Sequence, residues 1–287
     1  MYVHYQTFRD RRNQLNIKDP DNNSCILRNK LLFNVVADGL GIKTAENLFL
    51  ISDKSIYSFE QKKKVSVVDF CSQCNGKHLF CKLVDGECGN GVFELKVKGN
   101  QLLVDGKDCS QTQLMDYFSK GCYLVQGYLT QHEEMRRLHS QSINSIRLVT
   151  VRDRKNKNIV VLPSILRIGT GNSNVDNTSQ GGLCVGINLE DGSLKQYGFY
   201  KPQFGTKTEN HPDSGVLFSS FVIPFFEEAQ AQACYLHSML PNIHSVGWDI
   251  AIGEDGPIFI EGNDNWEING PQICNGGMMD EFRKYFL

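Results

Sequence analysis

The chain has 287 residues, of which 40% are hydrophobic and 22% charged, and a formal net charge of -2. That make-up excludes a disordered chain and fits one large domain or two lobes. It also excludes whole-molecule attraction to nucleic acid or anionic lipid, and no apolar run approaches the roughly 20 residues that span a bilayer.

The N-terminus, Met1-Tyr-Val-His-Tyr-Gln, has no signal-peptide apolar core, so a cytoplasmic location is expected. Cys71-Ser-Gln-Cys74, followed by Cys81 and Cys88, raises the question of zinc. Cys81 falls inside the strand-like run Leu79–Val84, and the second pair is too widely spaced for a zinc ribbon. The cysteines, Cys122, Cys184 and Cys234 among them, therefore read as small buried hydrophobes in a reducing compartment.

In chain order, the first 25 or so residues are polar. They carry Arg9, Arg11, Arg12 and the turn cluster Asp19–Asn23, an arm or short helix followed by a loop. Leu31, Leu32, Val35 and Val36 predict an amphipathic helix within Leu27–Leu40, stopped by Gly39 and Gly41. Strands are expected at Asn47–Ile51 and Val65–Phe70, with Lys62-Lys63-Lys64 a solvated loop. Leu79–Val84 and Val92–Val97 read as strands joined by Asp85-Gly-Glu-Cys-Gly-Asn-Gly91. A glycine-rich turn lets backbone N–H groups approach phosphate, and Lys82 beside it supplies a point charge; the same pattern also suits a plain hairpin turn. No helix-opening Gly-Lys-Ser/Thr follows, so it is not a P-loop.

Tyr123–Thr130 is a further buried strand and Gln131–His139 a polar segment. Ser145–Val151 and Ile159–Ile168 are strands carrying Arg147 and Arg167. Arginine in an apolar strand needs an anion, either a protein carboxylate or a bound phosphate. Gly169–Gly182 is a polar, Asn-rich loop, Gly186–Gln196 a hairpin turned at Glu190-Asp-Gly192, and Asn210–Gly215 a polar turn. Pro224–Leu240 is the best helix of the second half, ended by Pro241.

In Gly247–Glu267, two alternating runs flank Glu254-Asp-Gly-Pro257 and predict a hairpin with Asp249 on one strand and Glu261 and Asn263 on the other. Residues two apart share a strand face, so three oxygen-bearing side chains converge, a set that suits Mg²⁺. A solvent-facing acidic hairpin is the alternative. Strands outnumber helices and no repeat appears, which gives an α+β protein whose antiparallel sheets bind something between them.

This order of features resembles the ATP-grasp superfamily. Ser142–Val151, Val175-Asp-Asn177, His211-Pro-Asp-Ser-Gly215 and Gly247-Trp-Asp-Ile-Ala-Ile through Glu261–Glu267 are most similar to its sugar-transfer-associated branch, tied to surface-polysaccharide gene clusters. The similarity runs from about Asn29 to about Gln272. It implies two α+β lobes with antiparallel sheets sandwiching ATP: an N-terminal arm (1–29), a small lobe (30–125) and a large lobe (126–287).

Carried over by residue, it implies that Lys30 and Lys82 hold phosphates, the Gly86–Gly91 turn with Gly89 and Gly91 closes over them, and Gln126, Gly127, Tyr128 and Leu129 meet adenine. Glu133 takes the ribose-binding position. Asp249, Glu261 and Asn263 match the Mg²⁺ ligands. Arg147, Arg167 and Asn177 are the expected catalytic residues, and Asp176, Gly181, Gly182, His211 and Asp213 the substrate-facing ones.

The implied activity is an ATP- and Mg²⁺-dependent ligase joining a small-molecule carboxylate to an amine through an acyl-phosphate, in glycan or related metabolite assembly. The same site also suits a kinase acting on a sugar or small-molecule hydroxyl, or a nucleotide-binding partner of a glycosyltransferase. Two departures stand out. Asp264-Asn-Trp-Glu267 replaces a Pro-Gly turn, which directs acceptor choice to that tail, and fewer than 30 residues precede Lys30, too few for an N-terminal substrate domain. The acceptor site is then expected from the Asn172–Gly182 and His211–Gly215 loops, a partner chain or a missing segment.

Overall fold

The computed structural model of the protein describes residues 1–17, 23–86, 90–99, 101–173, 176, 181–201, 203 and 205–287. It opens with three helices, α1 (Tyr5–Ile17), α2 (Ser24–Arg28) and α3 (Lys30–Gly39). The helix expected across Leu27–Leu40 is split at Asn29, because its side chain accepts the Leu32 N–H at 3.0 Å and caps α3.

Next come β1 (Asn47–Ser52), β2 (Ser55–Ser58), β3 (Lys63–Val65), α4 (Val67–Gln73), β4 (His78–Leu83), β5 (Phe93–Lys98), β6 (Gln101–Val104), β7 (Lys107–Cys109), α5 (Gln111–Phe118) and β8 (Tyr123–Gly127). The strand expected at Val65–Phe70 ends at once, at Val65. Ser66 Oγ accepts the Asp69 N–H while the Asp69 carboxylate accepts the Ser66 N–H, a capping box that starts α4 despite the β-branched residues around it.

Residues Asn29–Val35 and Ala45–Leu129 make one compact unit; Met1–Arg28, Val36–Thr44 and Thr130–Leu287 make the other. The first unit holds an antiparallel sheet in the order β3-β2-β1-β8-β4-β5-β6-β7. Alternation decides its faces. Leu79, Cys81, Leu95, Val97 and Val125 join Phe70 of α4 and Leu114 and Phe118 of α5 in the core. The opposite face carries His78, Phe80 and Lys82 of β4, registered against Lys96, Glu94 and, on β8, Gln126 and Leu124.

The second unit continues with α6 (Glu133–Leu138), β9 (Ser145–Arg152), β10 (Ile159–Ile168), β11 (Leu183–Ile187), β12 (Leu194–Tyr200), β13 (Lys207–Thr208), α7 (Phe226–Ser238), β14 (Ser245–Gly253), β15 (Gly256–Asn263), α8 (Asn269–Asn275) and α9 (Met279–Tyr285). Its sheet runs β13-β12-β11-β10-β9-β14-β15. Thr150 and Trp248 face α7, where the Trp248 indole donates to Thr150 Oγ1 at 2.8 Å and Thr150 meets His237 Nδ1 at 2.8 Å. Val149, Val151 and Leu162 point the other way and pack with Phe8 of α1 and Phe282 of α9.

The tail after β15 belongs to that second layer. Trp266 is 1% exposed, meets Phe8 edge-on at 4.7 Å and donates to Ser245 Oγ at 3.1 Å. Asp264 is buried and pairs with Arg28 at 2.6 Å. Two of the four residues expected to shape an acceptor pocket are therefore part of the packing between the N-terminal helix and the sheet.

Candidate functional site

The C-terminal hairpin forms as its pattern predicts, with Asp249 directly opposite Glu261 and Gly247 opposite Asn263. Gly256 turns it with φ at +124°, a value that favours glycine. On its other edge β14 pairs with β9, which puts Asp249 beside Arg147. Gly247 is needed at its position, since a Cβ there would stand 2.6 Å from Trp266 Cβ and 3.2 Å from Arg147 Cδ.

Asp249 is the centre of this face. Its Oδ1 accepts from Arg147 Nε at 2.5 Å, and its Oδ2 accepts from Arg147 Nη2 at 2.9 Å and from Arg167 Nη2 at 2.9 Å. Arg167 lies 3.7 Å from Asp176, and Ser145 Oγ links them, accepting from Arg167 at 2.8 Å and donating to the Asp176 carboxylate. Burial works against the Asp249 charge, yet Arg147 and Arg167 outweigh it and hold the carboxyl well below the usual carboxylate range. Burial likewise opposes the Arg167 charge, and Asp249, Asp176 and Glu261 more than restore it. At Asp176 burial prevails and pushes the carboxyl up, against the pull of Arg167 and Ser145.

The arginines of the two apolar strands thus find their anions in protein carboxylates. Three carboxylates, Asp176, Asp249 and Glu261, influence Arg167, against two guanidiniums.

Glu261 and Asn263 are held side by side, the Asn263 amide donating to Glu261 Oε1 at 3.3 Å. Their hard oxygens fit a divalent cation such as Mg²⁺, which asks for only one or two carboxylates. Asp249 stands next to them, but both of its oxygens are engaged by arginine. Among the described residues, no group of three His, Cys, Asp or Glu side chains is placed to hold a metal.

Of the remaining expected site residues in this unit, Gly181 accepts from Thr170 Oγ1 at 2.9 Å and Gly182 leads into β11. His211 donates from Nε2 to Gly169 O at 2.8 Å, and its Nδ1 accepts the Asp213 and Ser214 N–H groups at 3.3 Å. Burial lowers its pKa, so the neutral ring suits this pattern. Asp213 in turn accepts the Gly171 N–H at 2.6 Å. These two brace the root of the Asn-rich loop. Glu133 is exposed in the first turn of α6. Asn177 lies outside the described residues, as does Gly89.

In the first unit, Lys30 opens α3, its N–H donating to Val84 O at 2.9 Å and its ammonium to Gly86 O. The contact with Gly86 ties the first lysine to the glycine turn. Gly91, at the far side of the turn, has φ of +67°. Lys82 is half-buried on β4, its ammonium 5.3 Å from the Phe80 ring centre.

Gln126 is buried and commits its amide to Asn47 Oδ1 at 2.9 Å. The Gly127 and Tyr128 N–H groups are used by Glu46 O and His78 O, both at 3.1 Å. Tyr128 stacks on His78 at 3.9 Å, and His78 meets Glu94 at 3.1 Å.

Ser145 and His139 are the residues sequence reasoning missed. Ser145 had a signal: it stands two before Arg147 in the strand and shares its face. His139, bound to Ser142 Oγ at 2.9 Å and Gly171 O at 3.0 Å, had none.

With this geometry in view, the chain belongs to the sugar-transfer associated ATP-grasp family, whose model matches residues 10–284. No curated protein sequence matches it. Among solved structures it is similar to D-alanine–D-alanine ligase from Helicobacter pylori, at 13% identity and TM-score 0.47, covering 91% of this chain and 57% of that one. It is similar to D-alanyl-alanine synthetase A from Vibrio cholerae at 12% identity and TM-score 0.48, covering 90% and 61%. A third is N5-carboxyaminoimidazole synthetase from Staphylococcus aureus complexed with ADP, at 12% identity and TM-score 0.48, covering 91% and 50%. The chain spans between half and two thirds of the length of these three.

Proposed function

We propose that the protein is an ATP- and Mg²⁺-dependent ligase that joins a small-molecule carboxylate to an amine through an acyl-phosphate. The observation that carries this reading is the Asp249 centre, in which one buried carboxylate fixes two arginines beside Glu261 and Asn263. The family's description supports a sugar-derived substrate in glycan or related metabolite assembly.

The chemistry asks for positioned positive charge rather than covalent help. Arg147 and Arg167 are held by Asp249 with their guanidiniums fixed, so charge developing on a transferred phosphoryl group meets donors that need no reorganisation. Lys30 and Lys82 take the phosphates. Glu261 and Asn263 would hold Mg²⁺, which would neutralise phosphate charge. The substrate carboxylate attacks the γ-phosphorus, ADP leaves, and the amine displaces phosphate from the acyl group. His211 and Asp213 act at one remove, by fixing Gly169 and Gly171 at the root of the loop beside Asp176.

The test is ADP and phosphate release in the presence of ATP and Mg²⁺ with panels of carboxylates and amines. The reading expects equal amounts of ADP and free phosphate, and dependence on both substrates. ADP without free phosphate, with a new phosphoester by ³¹P NMR, would show a kinase instead.

A further inference from the structure

We propose that Cys184 and Cys274 form a redox site, a buried dithiol that a peroxide oxidises to a disulfide joining β11 to α8. The two lie 90 residues apart, yet the Cys274 sulfur is 3.3 Å from both the Cys184 sulfur and the Cys184 carbonyl oxygen, each within reach of its one S–H. A disulfide needs about 2.0 Å between sulfurs, so the pair has roughly 1.3 Å to close. Cys184 is fixed from both sides by the sheet, opposite Arg167 on β10 and Phe199 on β12, and Cys274 sits near the end of a short helix packed over it. The pair is 6% and 7% exposed and packs with Ile165 and Phe199.

The two sulfurs are not equivalent. The hydrogen bond from Cys274 favours a Cys184 thiolate against the cost of burial, and Arg167 adds to that effect. The same hydrogen bond, with burial, keeps Cys274 protonated. Cys184 is therefore the attacking sulfur and Cys274 the resolving one. The Cys184 thiolate attacks one oxygen of hydrogen peroxide, the O–O bond breaks, and the hydroxide takes up a proton to leave as water, giving a sulfenic acid. The Cys274 sulfur then attacks the sulfenic sulfur, the S–O bond breaks, and the hydroxyl leaves as a second water with the Cys274 proton. Two electrons pass from the thiols to the peroxide.

The proposal is independent of the ligase reading, because its test reads mass and not turnover. Wild-type protein is treated with hydrogen peroxide, denatured, alkylated and digested. The expected product is the Cys184 peptide joined to the Cys274 peptide, lighter than their sum by two hydrogens and returned to two alkylated peptides by dithiothreitol. In Cys274→Ser, Cys184 stops at the sulfenic acid and a dimedone-type probe labels it. Recovery of both cysteines alkylated after exposed Cys25 is fully oxidised would overturn the proposal. So would Cys184 joined to any other cysteine.

Discussion

The two sheets handle charge in opposite ways. In the second unit, buried Asp249 and half-buried Arg147, Arg167 and Asp176 are bound to one another, so the centre is held by its own ion pairs. In the first, Lys82 sits half-buried on a strand face and Lys30 reaches a backbone carbonyl of the glycine turn. Under the proposed function, the contrast separates two ways of meeting phosphate: guanidiniums locked by a carboxylate, and ammonium groups on rotatable stems.

Asp249→Asn attacks the arginine side and carries the largest expected effect on activity. It leaves two half-buried guanidiniums without their shared counter-charge, a loss of about 3 kcal/mol in stability along with turnover. Urea unfolding checks this, and a change below about 1 kcal/mol would show that Asp249 is not the anchor. Trp266→Ala is expected to cost about 3–5 kcal/mol by emptying the α1–sheet interface. A folded, equally stable variant would show that Trp266 does not hold that interface.

Lys82→Met addresses the lysine side. Loss of one charge-assisted contact, about 1.5–3 kcal/mol, raises the KM for ATP by roughly 10–100-fold with the melting temperature unchanged. A fall in kcat alone would place Lys82 at the reacting group rather than at nucleotide binding.

The smallest effect is a pH dependence from histidines remote from both faces. Burial lowers His237 to about 3 and His244 to about 4, from 6.5 in the unfolded chain. Below pH 6.5 the unfolded state binds protons that the folded state refuses. Stability is therefore expected to fall as pH drops toward 4, by roughly 1.4 kcal/mol per unit for each histidine at the steepest. Thermal melts across this range check the slope; a flat profile would mean that the two rings accept protons in place.

The legible part of the sequence was the part with a strong period. The C-terminal hairpin, the β9 and β10 arginine strands and α7 follow from alternation or helical spacing, whereas the Asp249–Glu261 pairing does not follow from the turn alone, because the register shifts by one residue between Asp249 and Ile250. Capping contacts were harder to read: Asn29 splits a helix and Ser66 ends a strand through side-chain hydrogen bonds that leave no periodic trace. The engagement of both Asp249 oxygens by arginine was also out of reach, because it depends on β9 pairing with β14 across about 100 residues. Sequence placed Arg147 and Arg167 in need of anions, and strand order decided which.

The most direct test of the account is ATP binding with and without Mg²⁺, measured by melting-temperature shift in the wild type and in Glu261→Gln. The account predicts that Mg²⁺ adds a clear further stabilisation by ATP in the wild type and none in the variant, whose melting temperature without nucleotide is unchanged. An equal Mg²⁺-dependent shift in both proteins, or no shift in the wild type at millimolar ATP, would contradict it.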